Sequence, residues 1–265
     1  MDKVTSSDGT TIAFDRIGQG PPLVLVDGAL CYRESGPNGP LAEALRSGFT
    51  VYTYDRRGRG DSGDTAPFAV EREVEDLAAL IGVAGGSAFV YGISSGAALA
   101  LEAANRGLPI PKLALYEAPF VVDDTRPPVP DDYRARLDAL VAADRRADAV
   151  RLFMSKGARV PAIFVAMMRF MPAWPKLKGV AHTLPYDAEV MGDTQRGRPL
   201  PRDRWSNVTM PTLVIAGGKS QAWMRNGVRQ LAEVLPDARY RTLEGQTHIV
   251  KPAALAPVLT EFFKK

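Results

Sequence analysis

The chain has 265 residues, 46% of them apolar and 24% charged, which excludes a disordered tail, a collagen and a coiled coil. Lys and Arg number 33 against 30 Asp and Glu, a net charge of +3. The small, dispersed surplus implies no nucleic-acid partner, and the length suits one large domain with room for an insertion.

Met1–Thr10 has no apolar stretch of the kind a signal peptide needs, and no run of 18 apolar residues follows anywhere. The expectation is a cytoplasmic protein with no membrane partner. Thr10–Ile17 reads as a strand, and Gly18-Gln-Gly-Pro-Pro22 punctuates a turn. Leu23–Val26 and Phe49–Tyr54 are short, continuously apolar runs, the pattern of strands buried on both faces. Leu41–Arg46 can close a short helix between them. Asp55–Ser62 is a loop carrying Arg56, Arg57 and Arg59, expected to be a solvated turn, with anion binding as the alternative. Val70–Ile81 places Val74, Leu77, Leu80 and Ile81 on one helical face. Ser87–Tyr91 reads as a strand, Ser95–Arg106 as a helix and Lys112–Tyr116 as a strand. This alternation predicts a mostly parallel sheet with helices on both faces.

The rhythm breaks after residue 119. Asp123–Pro130 carries three prolines and reads as a linker. Helical patterns follow around Tyr133–Val141 and Val150–Met154, and a third apolar region runs from Val160 to Trp174. Strand and helix then alternate again: Thr212–Ala216, Met224–Leu235, Arg239–Leu243 and Leu255–Phe263. Residues 1–119 and 206–265 are therefore expected to form one core, and 120–205 a helical cap inserted into it.

Gly92-Ile93-Ser94-Ser95-Gly96 matches G-x-S-x-G, a string that is weak alone. Here a strand precedes it and an Ala-rich helix follows, the strand–turn–helix context of a nucleophile elbow. The tight turn strains the serine backbone, and the glycines let strand and helix approach. The serine Oγ then stands at a helix N-terminus, which favours developing negative charge. A capping serine in a glycine-rich turn is the plainer reading, and the context argues against it. Cys31 is the only cysteine, so no internal disulfide can form; it reads as a small buried residue. The only histidines are His182 and His248, too few for a zinc site of N and S ligands.

With these residues in view, the chain resembles the α/β-hydrolase superfamily over nearly its whole length. The matching parts are Gly18–Pro22, Leu25-Val-Asp-Gly-Ala29, Asp55–Ser62, the elbow, the inserted cap and Gly245-Gln-Thr-His248. The resemblance implies an eight-stranded, mostly parallel sheet with the cap inserted after the sixth strand. It implies Ser94 as nucleophile, His248 as general base, no metal and no organic cofactor. It also points to backbone amides of Ser95 and Ala29, with Gly28 beside them, as the oxyanion hole. Asp27 stands where the family usually has His, as a brace for that loop.

One departure concerns the acid that orients the histidine. Most of the family place an Asp after the strand corresponding to Thr212–Ala216; this chain has Gly217-Gly218-Lys219-Ser220, with Ser220 in the Asp position. The expected replacement is Glu117, at the end of the strand after the elbow helix, because neighbouring strand ends share one face of an open sheet. Haloalkane dehalogenases and zearalenone lactonases place their acid there. The dehalogenases use an Asp nucleophile. The lactonases combine a G-x-S-S-G elbow, a Glu after this strand and Asp-Gly in place of His-Gly, and all three features occur here. Asp123 and Asp124 are poorer candidates, since they fall in the linker.

Ile163, Phe164, Met167, Met168, Met171 and Trp174 recur at helical spacing, either as a face packed on the domain below or as an adaptable lining for an apolar pocket. The candidate pocket residues are Leu30, Met167, Met171, Trp174, His182 and Trp223, although His182 fits a packing role better. The reading is a serine hydrolase acting on a carboxylic ester or lactone with a bulky apolar part. Carbon–carbon bond hydrolysis, and a hydrolase-like receptor with little turnover, are the alternatives. The expected partners are a small-molecule substrate and, at most, a second copy of the chain.

Overall fold

The computed structural model describes residues 1–265. Eight strands form one sheet in the order β1-β2-β4-β3-β5-β6-β7-β8. They are β1 (Asp2–Thr5), β2 (Thr11–Ile17), β3 (Pro22–Val26), β4 (Thr50–Tyr54), β5 (Phe89–Ile93), β6 (Leu113–Tyr116), β7 (Thr212–Gly217) and β8 (Ala238–Leu243). β1 pairs antiparallel with β2, and β2 antiparallel with β4. From β4 through β8 every pairing is parallel.

The continuous apolar runs follow from burial on both faces. In β3, Val24 and Val26 enter the larger core, which lies under α2 (Val70–Val83), α3 (Ser95–Asn105) and α9 (Ala222–Val234). Leu23 and Leu25 enter the opposite core, closed by α1 (Asn38–Leu45) and α10 (Pro252–Lys264). β6 divides the same way, with Leu113 and Leu115 on one side and Ala114 and Tyr116 on the other. A strand period of two explains the split.

Between β6 and β7 the chain leaves the sheet. It forms α4 (Tyr133–Ala142), α5 (Arg146–Leu152), a π-helical turn (Phe153–Gly157), α6 (Ala162–Met167), α7 (Trp174–Gly179) and α8 (Leu184–Met191). Two three-residue 3₁₀ turns flank α7. The third apolar region is thus broken where one continuous helix face was expected, at Pro161 and Pro172, which disfavour helical geometry in the preceding residue, while Pro175 sits in the first turn of α7, where proline is tolerated. Its stripe is also largely outward-facing: Ile163, Phe164, Met167, Phe170 and Met171 are exposed, while Trp174 is buried in the insertion's own core. No helix is long and apolar enough to cross a membrane.

Candidate active site

The C-terminal ends of β3, β5 and β6 and the loop after β8 meet on one edge of the sheet, the usual place for a ligand site in an open parallel sheet. β5 runs into α3 through Ser94, whose backbone is held at φ 58°, ψ −129°. The flanking glycines are sterically required. A Cβ on Gly92 would lie 2.4 Å from the Gly96 carbonyl oxygen, and one on Gly96 would lie 2.5 Å from the carbonyl oxygens of Val26 and Asp27. Leu30 (φ 61°) and Glu117 (φ 48°) are also non-glycine residues with positive φ. So three of the chain's strained positions gather at this edge, as backbone strain tends to do at functional sites.

Glu117 is fully buried. Its Oε1 accepts a hydrogen bond from the Gly217 N–H at 2.7 Å, and its Oε2 lies 2.8 Å from His248 Nδ1. The carboxylate is therefore fixed from one side by the end of β7 and faces the imidazole with the other. The histidine loop is pinned in turn: the Tyr116 hydroxyl donates to the Thr247 carbonyl at 2.6 Å, and the Lys219 N–H donates to the Gln246 carbonyl at 2.8 Å. His248 is 43% exposed, so its ring edge opens to the outside. Ser94 and His248 are not hydrogen-bonded to each other. Ser220 Oγ is buried with no hydrogen-bond partner and does not reach the imidazole.

The loop after β3 supplies the other wall. A Cβ on Gly28 would stand 2.9 Å from Ser94 Cβ, which places this loop against the elbow. The Ala29 N–H has no acceptor within the protein, and the Ser95 N–H is among the amides that an α-helix leaves unpaired at its start. Two donors thus flank Ser94.

The arginine loop that reads as a solvated turn is buried: Arg56, Arg57 and Arg59 are each 1% exposed. Arg56 forms a bidentate pair with Glu73, both contacts at 2.6 Å, and donates to Asp187 at 2.7 Å. Arg57 pairs with Asp76 and Asp8. Arg59 donates to Asp187 Oδ2 and to the Gly28 carbonyl, both at 2.7 Å. Asp187, on α8, also accepts from Ser95 Oγ at 2.8 Å. One carboxylate of the insertion thereby joins both arginines to the helix that follows Ser94. Burial pushes its carboxyl up, but the charges of Arg59 and Arg56 outweigh that and hold it below the usual range. The charges misled because they pair across the fold with acids far away in sequence. Asp187 carries no sequence signal at all, and Tyr116 is disguised as one more apolar strand residue.

Asp27, in the loop after β3, is a buried side chain with Oδ1 unpartnered. Burial raises its carboxyl to about 7, against the opposing pull of Arg59 and Arg56. Burial also pushes the Cys31 thiol up to about 12, which makes it a packing residue rather than a nucleophile. The six pocket candidates do not converge on one lining. Leu30 and Trp174 share the insertion's apolar cluster, and Trp223 packs on Val121 and Met224 under the Arg126 guanidinium. Met167 and Met171 face outward, and His182 is half-buried beside Arg146, where burial lowers its basicity.

An open parallel sheet with a strained serine at a strand–helix elbow, and a buried acid on a histidine beyond the last strand, defines a hydrolase-type scaffold. Residues 23–258 match the model of the alpha/beta hydrolase family, and the chain belongs to that family. It is similar over 99% of its length to an alpha/beta hydrolase from Sphaerobacter thermophilus, at 59% identity and TM-score 0.92, covering all of that chain. An enol-lactonase from Burkholderia xenovorans shares the fold at 23% identity and TM-score 0.69, with both chains fully covered. A thermophilic esterase from Thermogutta terrifontis does so at 22% identity and TM-score 0.69, over 99% of this chain and 96% of that one.

Proposed function

We propose that this chain is a serine hydrolase that cleaves a carboxylic ester or lactone with a bulky apolar part through an acyl-enzyme. The observation that carries the reading is the buried Glu117 carboxylate set 2.8 Å from His248 Nδ1. That contact puts the ring proton on Nδ1 and leaves Nε2 with a free lone pair, the tautomer a general base requires. Nε2 takes the Ser94 proton as Oγ attacks the carbonyl carbon. The oxyanion collects at the Ala29 and Ser95 amides. Collapse of the tetrahedral species breaks the ester C–O bond, and the leaving alkoxide takes the proton from Nε2. Water then gives a proton to His248, attacks the acyl carbon and releases the acid, and Ser94 regains its hydrogen.

The apolar preference is supported by Ile249, 88% exposed directly after His248. Ester and lactone chemistry suits a scaffold that an esterase and an enol-lactonase share. A fluorophosphonate probe tests the nucleophile: it is expected to add once to the protein and not at all to Ser94→Ala. Labelling that persists in the alanine variant would move the nucleophile elsewhere. A parallel screen across aryl esters, lactones and macrolactones reads turnover, and binding without multiple turnover would indicate a receptor.

A further inference from the structure

The insertion carries a second cleft, of about 820 Å³, between α4–α5 on one side and the π-helical turn and α6 on the other. Its volume falls in the range of small-molecule sites. Five cations border it: Arg136, Arg145, Arg151, Lys156 and Arg169. The one acid among its walls, Asp148, has both carboxylate oxygens taken, Oδ2 by Arg145 and Oδ1 by Arg151. Arg136 has only a 3.9 Å pairing with Asp132. Lys156 and Arg169 have no carboxylate partner, and Arg169 lies over the Phe170 ring. The buried arginines of the sheet's edge, Arg56, Arg57 and Arg59, are by contrast each matched with acids. Here no Asp or Glu occurs between Asp148 and Asp187. Between the cations the walls are apolar, from Leu140, Leu152, Val165 and three alanines.

A cleft with surplus positive charge at its rim and hydrocarbon between has one complementary ligand class. The geometry points to a second binding site for a single-chain organic anion, its head group on Lys156 and Arg169 and its apolar tail along Leu140, Leu152 and Val165. A guanidinium and an ammonium without acids of their own supply charge-assisted hydrogen bonds at little cost in broken protein contacts. Ligand binding would also relieve the repulsion among five neighbouring cations. The acid released from an apolar ester belongs to this class, a connection that rests on the proposed hydrolysis; the binding itself does not.

The test uses the full chain and calorimetric titration with decanoate below its micelle concentration, with decanol and inorganic phosphate as separate ligands. Decanoate is expected to bind one per chain, with decanol and phosphate each about tenfold weaker or worse, and to raise the melting temperature. Lys156→Glu combined with Arg169→Glu is expected to weaken decanoate by tenfold or more, at unchanged fold by circular dichroism and unchanged aryl-ester turnover. Both side chains are exposed, and Lys156→Gln with Arg169→Gln provides a milder pair with a smaller loss in the same direction. Phosphate binding as tightly as decanoate would reduce the cleft to a simple anion site. Equal binding of decanol would make it an apolar trap. Decanoate binding unaffected by the charge reversal would place the ligand in the catalytic cleft; each of these outcomes overturns the proposal.

Discussion

Glu117 and Ser220 carry the sharpest test at the scale of single residues. Glu117→Gln keeps an oxygen for the Gly217 N–H but turns an amide toward His248 Nδ1. The imidazole then loses both its charge partner and its working tautomer, so kcat is expected to fall about a thousandfold or more with the fold intact. Ser220→Ala is expected to be near neutral, because the hydroxyl it removes has no hydrogen bond. Steady-state kinetics of the two variants, and of Glu117→Gln with Ser220→Asp for partial recovery, check this together. Asp27 gives a pH prediction. Its carboxyl is raised by burial from 3.8 to about 7, so the folded state favours the protonated form. The stabilisation this supplies is complete below about pH 4 and is lost as pH rises to about 7, a change of at most about 4 kcal/mol. Asp27→Asn removes the titration. Urea unfolding at pH 5 and pH 8 is expected to show wild type losing stability relative to the variant at the higher pH.

Elements show which parts of the molecule were legible from sequence. The parallel strands announce themselves because burial on both faces demands unbroken apolar runs, as in Leu23–Val26 and Leu113–Tyr116. The elbow at Ser94 and the meeting of Glu117 with His248 were legible because each sits at a strand end or turn whose local pattern is strong. β1 was not legible: Asp2–Thr5 is a short, mostly exposed edge strand with no apolar face to read. The arginine loop was not legible either, because a charged turn looks the same whether its partners are water or distant carboxylates. Two glycines separate packing from propensity. Gly96→Ala would force a Cβ to within 2.5 Å of two backbone carbonyls that cannot move aside, and is expected to cost more than about 2 kcal/mol. Gly82, in α2, has open space where its Cβ would stand. Gly82→Ala is therefore expected to gain up to about 1 kcal/mol from helix propensity, and melting curves of the pair measure both effects.

Across the whole molecule, the insertion and the sheet are joined through Asp187. Asp187→Asn would leave Arg59 buried with no carboxylate, while Arg56 keeps Glu73. Breaking such a buried pair is expected to cost about 3–5 kcal/mol in urea unfolding. It is also expected to lower kcat more than it raises KM, because Arg59 holds the Gly28 carbonyl next to the Ala29 amide. The same joint bears on modular redesign. Exchanging this chain's helical insertion for one from a relative would delete the only acid that neutralises Arg59 and restrains the Ser95 hydroxyl. A successful chimera would have to carry an aspartate back to that point, or replace Arg59 by an uncharged residue of similar volume. Recombination boundaries drawn only at the ends of β6 and β7 would miss this requirement.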